Sequence, residues 1–128
     1  MRHFLRSRAR SFKYAFEGWW YVIRTQQNAW IHAVVSILVV IMGIWLQLHP
    51  RDWAVIILAI AMVWAAEFFN TALEVIVDLA SPEMNHLAKV SKDVGATAVL
   101  IASGASIIIG LLILGPSLCE KLRRLLGN

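Results

Sequence analysis

Long apolar stretches dominate the hydropathy pattern of this chain, and short polar turns separate them. The stretch 31–48 contains few polar residues, and at about 1.5 Å of rise per residue it is long enough to cross a bilayer core as a helix. A second apolar helix is predicted over 53–80. A third is predicted over 83–115, where many small residues suit close helix packing. The pattern predicts an all-α integral membrane protein with three transmembrane helices.

The first 29 residues have a different pattern, in which aromatic and basic side chains are interleaved. Apolar residues recur every three to four positions, so a helix over 1–29 has an aromatic face with Arg and Lys around it. This pattern is typical of a helix that lies in the membrane interface. The apolar positions are Phe12, Phe16, Trp19, Trp20 and Ile23, and the basic positions are Arg2, Arg6, Arg8, Arg10, Lys13 and Arg24.

Capping and helix-breaking residues predict the limits of the third apolar helix. Ser81 suits an N-cap and Pro82 suits the first helical position, so this helix is predicted to begin at about Glu83. Gly115 and Pro116 predict its end, because proline disrupts a helix interior.

Composition also indicates a membrane protein. The chain is 59% hydrophobic and 16% charged, whereas globular domains are about 45–50% apolar and 25% charged. The net charge is +4, but the basic residues cluster at segment ends, which favours lipid headgroups over nucleic acid. Their excess on the N-terminal side places the N-terminus and the loop around Asn85 in the cytoplasm. Cys119 is the single cysteine, which excludes an internal disulfide and a cysteine-based metal site. We expect residues 1–128 to form one membrane domain.

Four polar residues interrupt the second predicted helix. Glu67, Asn70, Glu74 and Asp78 are spaced so that an α-helix projects all four from one stripe. Carboxylates on a membrane helix mark functional sites by default. Carboxylates near lysines, without a His or Cys cluster, favour magnesium and phosphate over zinc. From spacing alone, three interpretations remain open: a phosphoryl-transfer or ion site, a proton or ion path, and structural pairing of carboxylates with lysines.

The same stretch resembles a known family. Residues 67–78, EFFNTALEVIVD, and residues 87–93, LAKVSKD, are similar to the signature of the small integral-membrane lipid kinases of bacteria, which comprise diacylglycerol kinase and undecaprenol kinase. Residues 11–18, SFKYAFEG, resemble the amphipathic-helix motif of the undecaprenol kinase branch. The resemblance implies an ATP- and magnesium-dependent kinase that phosphorylates a membrane lipid alcohol, with undecaprenol favoured over diacylglycerol. It also implies a homotrimer in the bacterial cytoplasmic membrane, with active sites between subunits at the cytoplasmic boundary.

The motif positions imply residue roles. Glu67 is expected to be the general base that takes the proton of the lipid hydroxyl, and Asn70 is expected to orient that end of the site. Glu74 is expected to hold Mg²⁺. The positions expected to line the nucleotide are Tyr14, Glu74, Asp78, Glu83, Asn85, Lys92 and Asp93.

One position departs from the family pattern. Relatives commonly have a glutamate shortly before the first span, where this chain has Gln26. A neutral amide is a weaker ligand for a hard cation than a carboxylate. Gln26 is therefore a candidate magnesium ligand with altered metal dependence, and the alternative function is a catalytically impaired membrane subunit that keeps the kinase fold as an interaction protein. His32, at the mouth of the first span, is interpreted as an interfacial hydrogen-bonding group.

Overall fold

The computed structural model of the chain describes residues 2–83 and 85–127, with side chains in the first helix at position 8 and from position 10 onward. Its described part is all helical, as predicted. Met1 and Met84, which belong to the predicted segments 1–29 and 83–115, lie outside the described residues, as do the side chains of Arg2 and Arg6. The helices are α1 (Arg2–Thr25), α2 (Gln27–Leu46), α3 (Pro50–Ala80) and α4 (His86–Leu125).

Three of these helices, α2, α3 and α4, are long and apolar enough to cross a membrane. Large apolar side chains cover their outer surfaces, and Leu58, Leu100 and Leu112 are each more than half exposed. Apolar surface of this extent is unfavourable in water and favourable in lipid or against another apolar helix. The structure thus agrees with the predicted set of three transmembrane helices.

A tight turn makes α2 and α3 an antiparallel pair. Gln47 closes α2 in the left-handed conformation, with φ of 56°, and the Leu48 N–H donates to the Gly43 carbonyl at 3.1 Å. The His49 side chain then caps α3 by accepting from the Arg51 N–H at 3.3 Å. Residues at similar distances from this turn therefore lie opposite each other on the two helices.

The helices pack through small side chains and a short apolar core. An added Cβ at Gly43 would lie 2.8 Å from the Trp53 ring, so glycine is needed for this close approach. The Ser106 hydroxyl of α4 donates to the Ala59 carbonyl of α3 at 3.2 Å, which adds a polar contact between apolar helices. The core beside the turn consists of Leu46, Leu48, Ile56 and Leu114.

The predicted start of the third apolar helix was wrong by a few residues. Ser81 ends α3, with its N–H donating to the Val77 carbonyl, and α4 begins at His86 rather than Glu83. The cap is Asn85, whose Oδ1 accepts from the Ala88 N–H at 2.9 Å. Asparagine is as strong an N-cap as serine, so the second available cap defines the helix start.

The predicted end of this helix was also wrong, since α4 continues through Pro116 to Leu125. Proline removes one hydrogen bond from the helix interior, but contacts beyond it hold the last turns in place. Leu118 packs against the apolar core. The Lys121 Nζ donates to the Trp45 carbonyl at 3.2 Å, and its ammonium lies 5.5 Å from the centroid of the Trp45 ring.

Candidate functional site

The four residues of the polar stripe on α3 differ in solvent exposure along the helix. Glu67 is 1% exposed and Asn70 is 6% exposed. Glu74 is half-buried, and the Asp78 side chain is 63% exposed. The stripe therefore runs from a buried carboxylate in the apolar part of α3 to a solvent-accessible carboxylate near its end.

Glu74 is the centre of a small hydrogen-bonded group. Its Oε2 accepts from the Gln26 Nε2 at 3.1 Å, and its Oε1 accepts from the Asn70 Nδ2 at 3.1 Å. Gln26 lies at the junction of α1 and α2, so this contact brings the N-terminal segments to the stripe. The structure thus joins three of the predicted site residues.

Asn70 also lies against α4. A Cβ added at Gly95 would be 2.5 Å from the Asn70 Oδ1, so a larger residue there would require the Asn70 side chain or α4 to shift. The Asn70 Oδ1 is buried and has no hydrogen-bond partner among the described residues. The Gly95 backbone and the bond to Glu74 together fix where the Asn70 amide lies.

Two ion pairs lie beyond Glu74. The Lys92 Nζ is 2.6 Å from the Asp78 Oδ1 and links α4 to α3. The Lys89 Nζ is 2.7 Å from the Asp93 Oδ2 within α4. The structural pairing of carboxylates with lysines is therefore present in these two pairs, and Glu67 and Glu74 take no part in them.

The remaining predicted nucleotide residues are not joined to this group. Glu83 and Asn85 line a shallow polar cleft in the α3–α4 connection. The Asn85 side chain donates to the Ser81 hydroxyl at 2.9 Å while it caps α4. Tyr14 is 63% exposed on α1, and among the described residues it makes no hydrogen bond to the Glu74 group.

His32, interpreted from the sequence as an interfacial hydrogen-bonding group, lies beside the buried end of the stripe. Its Nε2 lies 3.7 Å from the Glu67 Oε2, and their side chains are 14% and 1% exposed. His32 and Glu67 are at similar distances from the α2–α3 turn, so the antiparallel pairing brings them together. The similar distances can be counted in the sequence, but the register between the two helices cannot.

An aromatic cluster packs beside this pair and attaches α1 to α3. The Trp19 ring of α1 stacks on the Trp64 ring at a centroid distance of 4.8 Å and lies 5.2 Å from the Phe68 ring. The Trp64 Nε1 donates to the Ser36 hydroxyl of α2 at 3.3 Å. Trp64 thus contacts both neighbouring helices one turn before Glu67.

The donor set around Glu74 fits a magnesium ion. Glu74 offers carboxylate oxygen atoms, which hard cations prefer, and no cationic side chain of the described chain pairs with the Glu74 carboxylate. The described residues contain no group of three or more His, Cys, Asp or Glu that could hold a metal. Magnesium usually binds through one or two carboxylates together with water and substrate phosphates, and the Glu74 carboxylate matches that mode of binding. In this structure the Gln26 amide turns its N–H to Glu74, so it would have to rotate to offer its carbonyl oxygen to the ion.

Comparison with known proteins points to one family. The family model of prokaryotic diacylglycerol kinase matches residues 13–114, a range that contains every predicted site residue. An undecaprenol kinase from Bacillus subtilis is 39% identical over 85% of this chain and 89% of its own length. A diacylglycerol kinase from Synechocystis is 40% identical over 84% of this chain and 62% of its own length. A diacylglycerol kinase from Escherichia coli K12 is 31% identical over 62% of this chain and 71% of its own length.

Proposed function

Because the chain belongs to the prokaryotic diacylglycerol kinase family, we propose that it transfers the γ-phosphate of ATP to a membrane lipid alcohol, with undecaprenol preferred over diacylglycerol. Two observations favour undecaprenol. The relative from Bacillus subtilis that is named for this activity aligns over 89% of its length, and residues 11–18 resemble the motif of that branch. The enzyme class, a lipid kinase, follows from the family, whereas the nucleotide and the acceptor are our proposal.

The proposed mechanism rests on the burial of the Glu67 carboxylate and on its lack of hydrogen-bond partners among the described residues. Both of its carboxylate oxygens are buried and have no hydrogen-bond partner among the described residues. A buried carboxylate without such partners costs free energy, and it has lone pairs free to accept a proton. These properties suit a general base for a lipid hydroxyl at the depth where the alcohol lies.

In the proposed step, the oxygen of the lipid hydroxyl attacks the γ-phosphorus in line while the bond from phosphorus to the bridging oxygen of ADP breaks. The hydroxyl proton passes to Glu67, which releases it to solvent before the next turnover. Asn70, fixed by Gly95 and Glu74, orients the polar groups between the base and the nucleotide. No covalent phosphoenzyme is part of this sequence.

The nucleotide end of the site is assigned to the more exposed residues. Glu74 is the proposed magnesium ligand, assisted by the carbonyl oxygen of Gln26. When bound, magnesium neutralises charge on the phosphate oxygens. Lys92, which is 27% exposed in its pair with Asp78, supplies a cation for the phosphates. Asp93, Glu83, Asn85 and Tyr14 complete the proposed set around ATP.

We place this site at the cytoplasmic face of the membrane and propose a homotrimer. The basic residues of the N-terminal segment support the orientation, by the positive-inside rule. One chain offers Glu74 as its carboxylate ligand with the Gln26 amide beside it, and the described residues contain no group of three or more His, Cys, Asp or Glu that could hold a metal. A neighbouring subunit that brings further polar groups to the boundary would complete the site.

Transfer of labelled γ-phosphate tests this proposal. The purified chain in lipid micelles is given ATP and magnesium with undecaprenol, with diacylglycerol, or with no acceptor. We expect labelled undecaprenyl phosphate to form fastest and no product without an acceptor. Labelling of diacylglycerol alone would overturn the acceptor assignment, and labelling of neither lipid would overturn the proposed function.

A further inference from the structure

The contact between α2 and α3 contains two polar groups that face each other in an apolar setting. The His32 Nε2 and both Glu67 carboxylate oxygens are buried, and none has a hydrogen-bond partner among the described residues. Leaving a buried polar group unsatisfied costs free energy. Here the unsatisfied groups are an imidazole nitrogen, which donates when protonated, and a carboxylate, which accepts.

The distance between these groups is close to a hydrogen bond. The Nε2 to Oε2 separation is 3.7 Å, whereas the usual upper limit for an N–H···O bond is about 3.2 Å. A small movement of either side chain would close this difference. Catalytic hydrogen bonds are often long before the substrate binds and shorten in the complex.

Neighbouring contacts hold both side chains at this separation. The His32 ring packs edge-on against Trp64, with centroids 6.4 Å apart. Trp64 is bonded to Ser36, one turn beyond His32 on α2. On α3, the Thr71 hydroxyl donates to the Glu67 carbonyl at 2.9 Å, which helps to fix the helix backbone at the carboxylate.

His32 also belongs to an apolar groove of about 450 Å³ that α2, α3 and α4 form along their length. Its imidazole therefore lies where an apolar surface reaches the polar stripe. An alcohol on a membrane lipid must bring its hydroxyl from an apolar surface to the base, and His32 stands beside that base.

From this geometry we propose that His32 is the positioning residue for Glu67: its Nε2–H holds the carboxylate in the orientation that accepts the proton of the lipid hydroxyl. This inference rests on the proposed function. It gives α2 a role in the reaction, which the polar stripe on α3 alone does not indicate. His32 acts through Glu67 and need not touch ATP.

Three substitutions at His32 separate positioning from packing. The amide nitrogen of Gln lies as many bonds from Cβ as the Nε2 of His, so His32→Gln keeps a donor at nearly the same place. The amide of Asn is one bond shorter, so His32→Asn is polar but cannot reach Glu67 in the same way. His32→Phe keeps a flat ring of similar size and removes the donor. His49→Asn at the far end of α3 is the control, because asparagine retains the N-cap there.

Turnover is measured with labelled ATP and undecaprenol, and the thermal unfolding of each variant is measured in the same micelles. We expect His32→Asn and His32→Phe to lower kcat by about tenfold or more with little change in the KM for ATP, because the loss falls on proton transfer. We expect His32→Gln to recover most of the rate, and His49→Asn to match the wild type.

The outcomes distinguish a failure of the proposed kinase function from a failure of the proposed role of His32. A wild-type chain that phosphorylates no lipid overturns the proposed function and the role of His32 with it. An active wild type with His32→Phe at the same rate overturns the positioning role alone. Equal losses of rate in the Gln and Asn variants would show that His32 only packs. If His32→Phe does not fold, the comparison of Gln with Asn still decides, because both are polar amides.

Discussion

Glu67 is a carboxylate buried at 1% exposure in an apolar helix. Such burial costs free energy, which is why an ionisable residue in a membrane helix marks a functional site. The spacing of the stripe was enough to single out this residue and its three neighbours on α3. It did not predict His32 as a partner, because that contact depends on the register between α2 and α3. The hydrogen bond from Gln26 to Glu74, in contrast, joins two residues that the family resemblance had already assigned to one magnesium site.

Gln26 offers a test of the proposed metal site. Gln26→Glu would replace the donor to Glu74 with a second carboxylate, and the repulsion between the two would favour a cation between them. We expect the half-saturating magnesium concentration for kinase activity to fall by about threefold or more, since a carboxylate is the better ligand for a hard cation. The measurement is a magnesium titration of phosphate transfer.

The matched control for this change is Gln27→Glu, which adds the same charge at an exposed position next to it. Its magnesium dependence should match that of the wild type. Equal shifts in both variants would mean that general surface charge attracts the ion. No shift in Gln26→Glu would remove Gln26 from the metal site.

Gly95 tests whether the Asn70 amide must lie where it does. In Gly95→Ala the new Cβ would meet the Asn70 Oδ1 at 2.5 Å, so Asn70 or α4 must shift. We expect a loss of about 1–3 kcal/mol in the free energy of unfolding, as for other overpacked interiors, together with lower kinase activity. Thermal unfolding in micelles and phosphate transfer are the two measurements.

Gly104→Ala provides the comparison, because no atom lies within 4 Å of the Cβ that it would add. Alanine is favoured over glycine in a helix by about 0.8–1.0 kcal/mol, so this variant should unfold at the same temperature or higher. If Gly95→Ala behaves in the same way, the close approach of α4 to Asn70 has no role in stability or activity.

At the scale of the helices, apolar periodicity predicted each element but not all of its limits. The end of α3 at Ala80 agrees with the predicted segment 53–80. The start of α4 differed because two capping residues, Ser81 and Asn85, compete within one short connection. The end of α4 differed because contacts made by Leu118 and Lys121 stabilise the helix beyond Pro116. The rule that proline ends a helix considers only local sequence and does not take these tertiary contacts into account.

The attachment of α1 depends on Trp19, which stacks on Trp64 and packs against Phe68. An aromatic pair contributes about 0.5–1.5 kcal/mol beyond its buried area, so Trp19→Ala should loosen α1 from the bundle. We expect trypsin to cut the basic α1 segment faster in this variant. The measurement is limited proteolysis in micelles, with the fragments identified by mass spectrometry.

Trp20→Ala is the control for this experiment, since Trp20 is 56% exposed and its ring lies against Arg24 of the same helix. Cleavage of α1 in Trp20→Ala should stay close to the wild-type rate. Equal sensitivity of the two variants would show that the Trp19 stack does not hold α1 in place.

At the scale of the whole molecule, composition and the hydropathy pattern were sufficient to predict a membrane protein with three spans, and the structure has three helices able to cross the bilayer. The arrangement of the site could not be predicted in this way, because it depends on contacts of α1, α2 and α4 with one face of α3. The outer surfaces of the spans remain apolar and exposed in the single chain, as expected for helices that face lipid or neighbouring subunits. The single chain thus has a candidate base and a candidate metal ligand, and the proposed trimer supplies the rest of the boundary.

The central claim is that a lipid kinase uses Glu67 as its base, and the most direct test is the rate of γ-phosphate transfer to undecaprenol by Glu67→Gln. The substitution removes the basic group and keeps the shape. We predict a fall in kcat of about a hundredfold or more, while Glu120→Gln retains the wild-type rate, because Glu120 is an exposed residue near the end of α4 that pairs with Arg124. A Glu67→Gln variant that transfers phosphate at the wild-type rate would contradict the account.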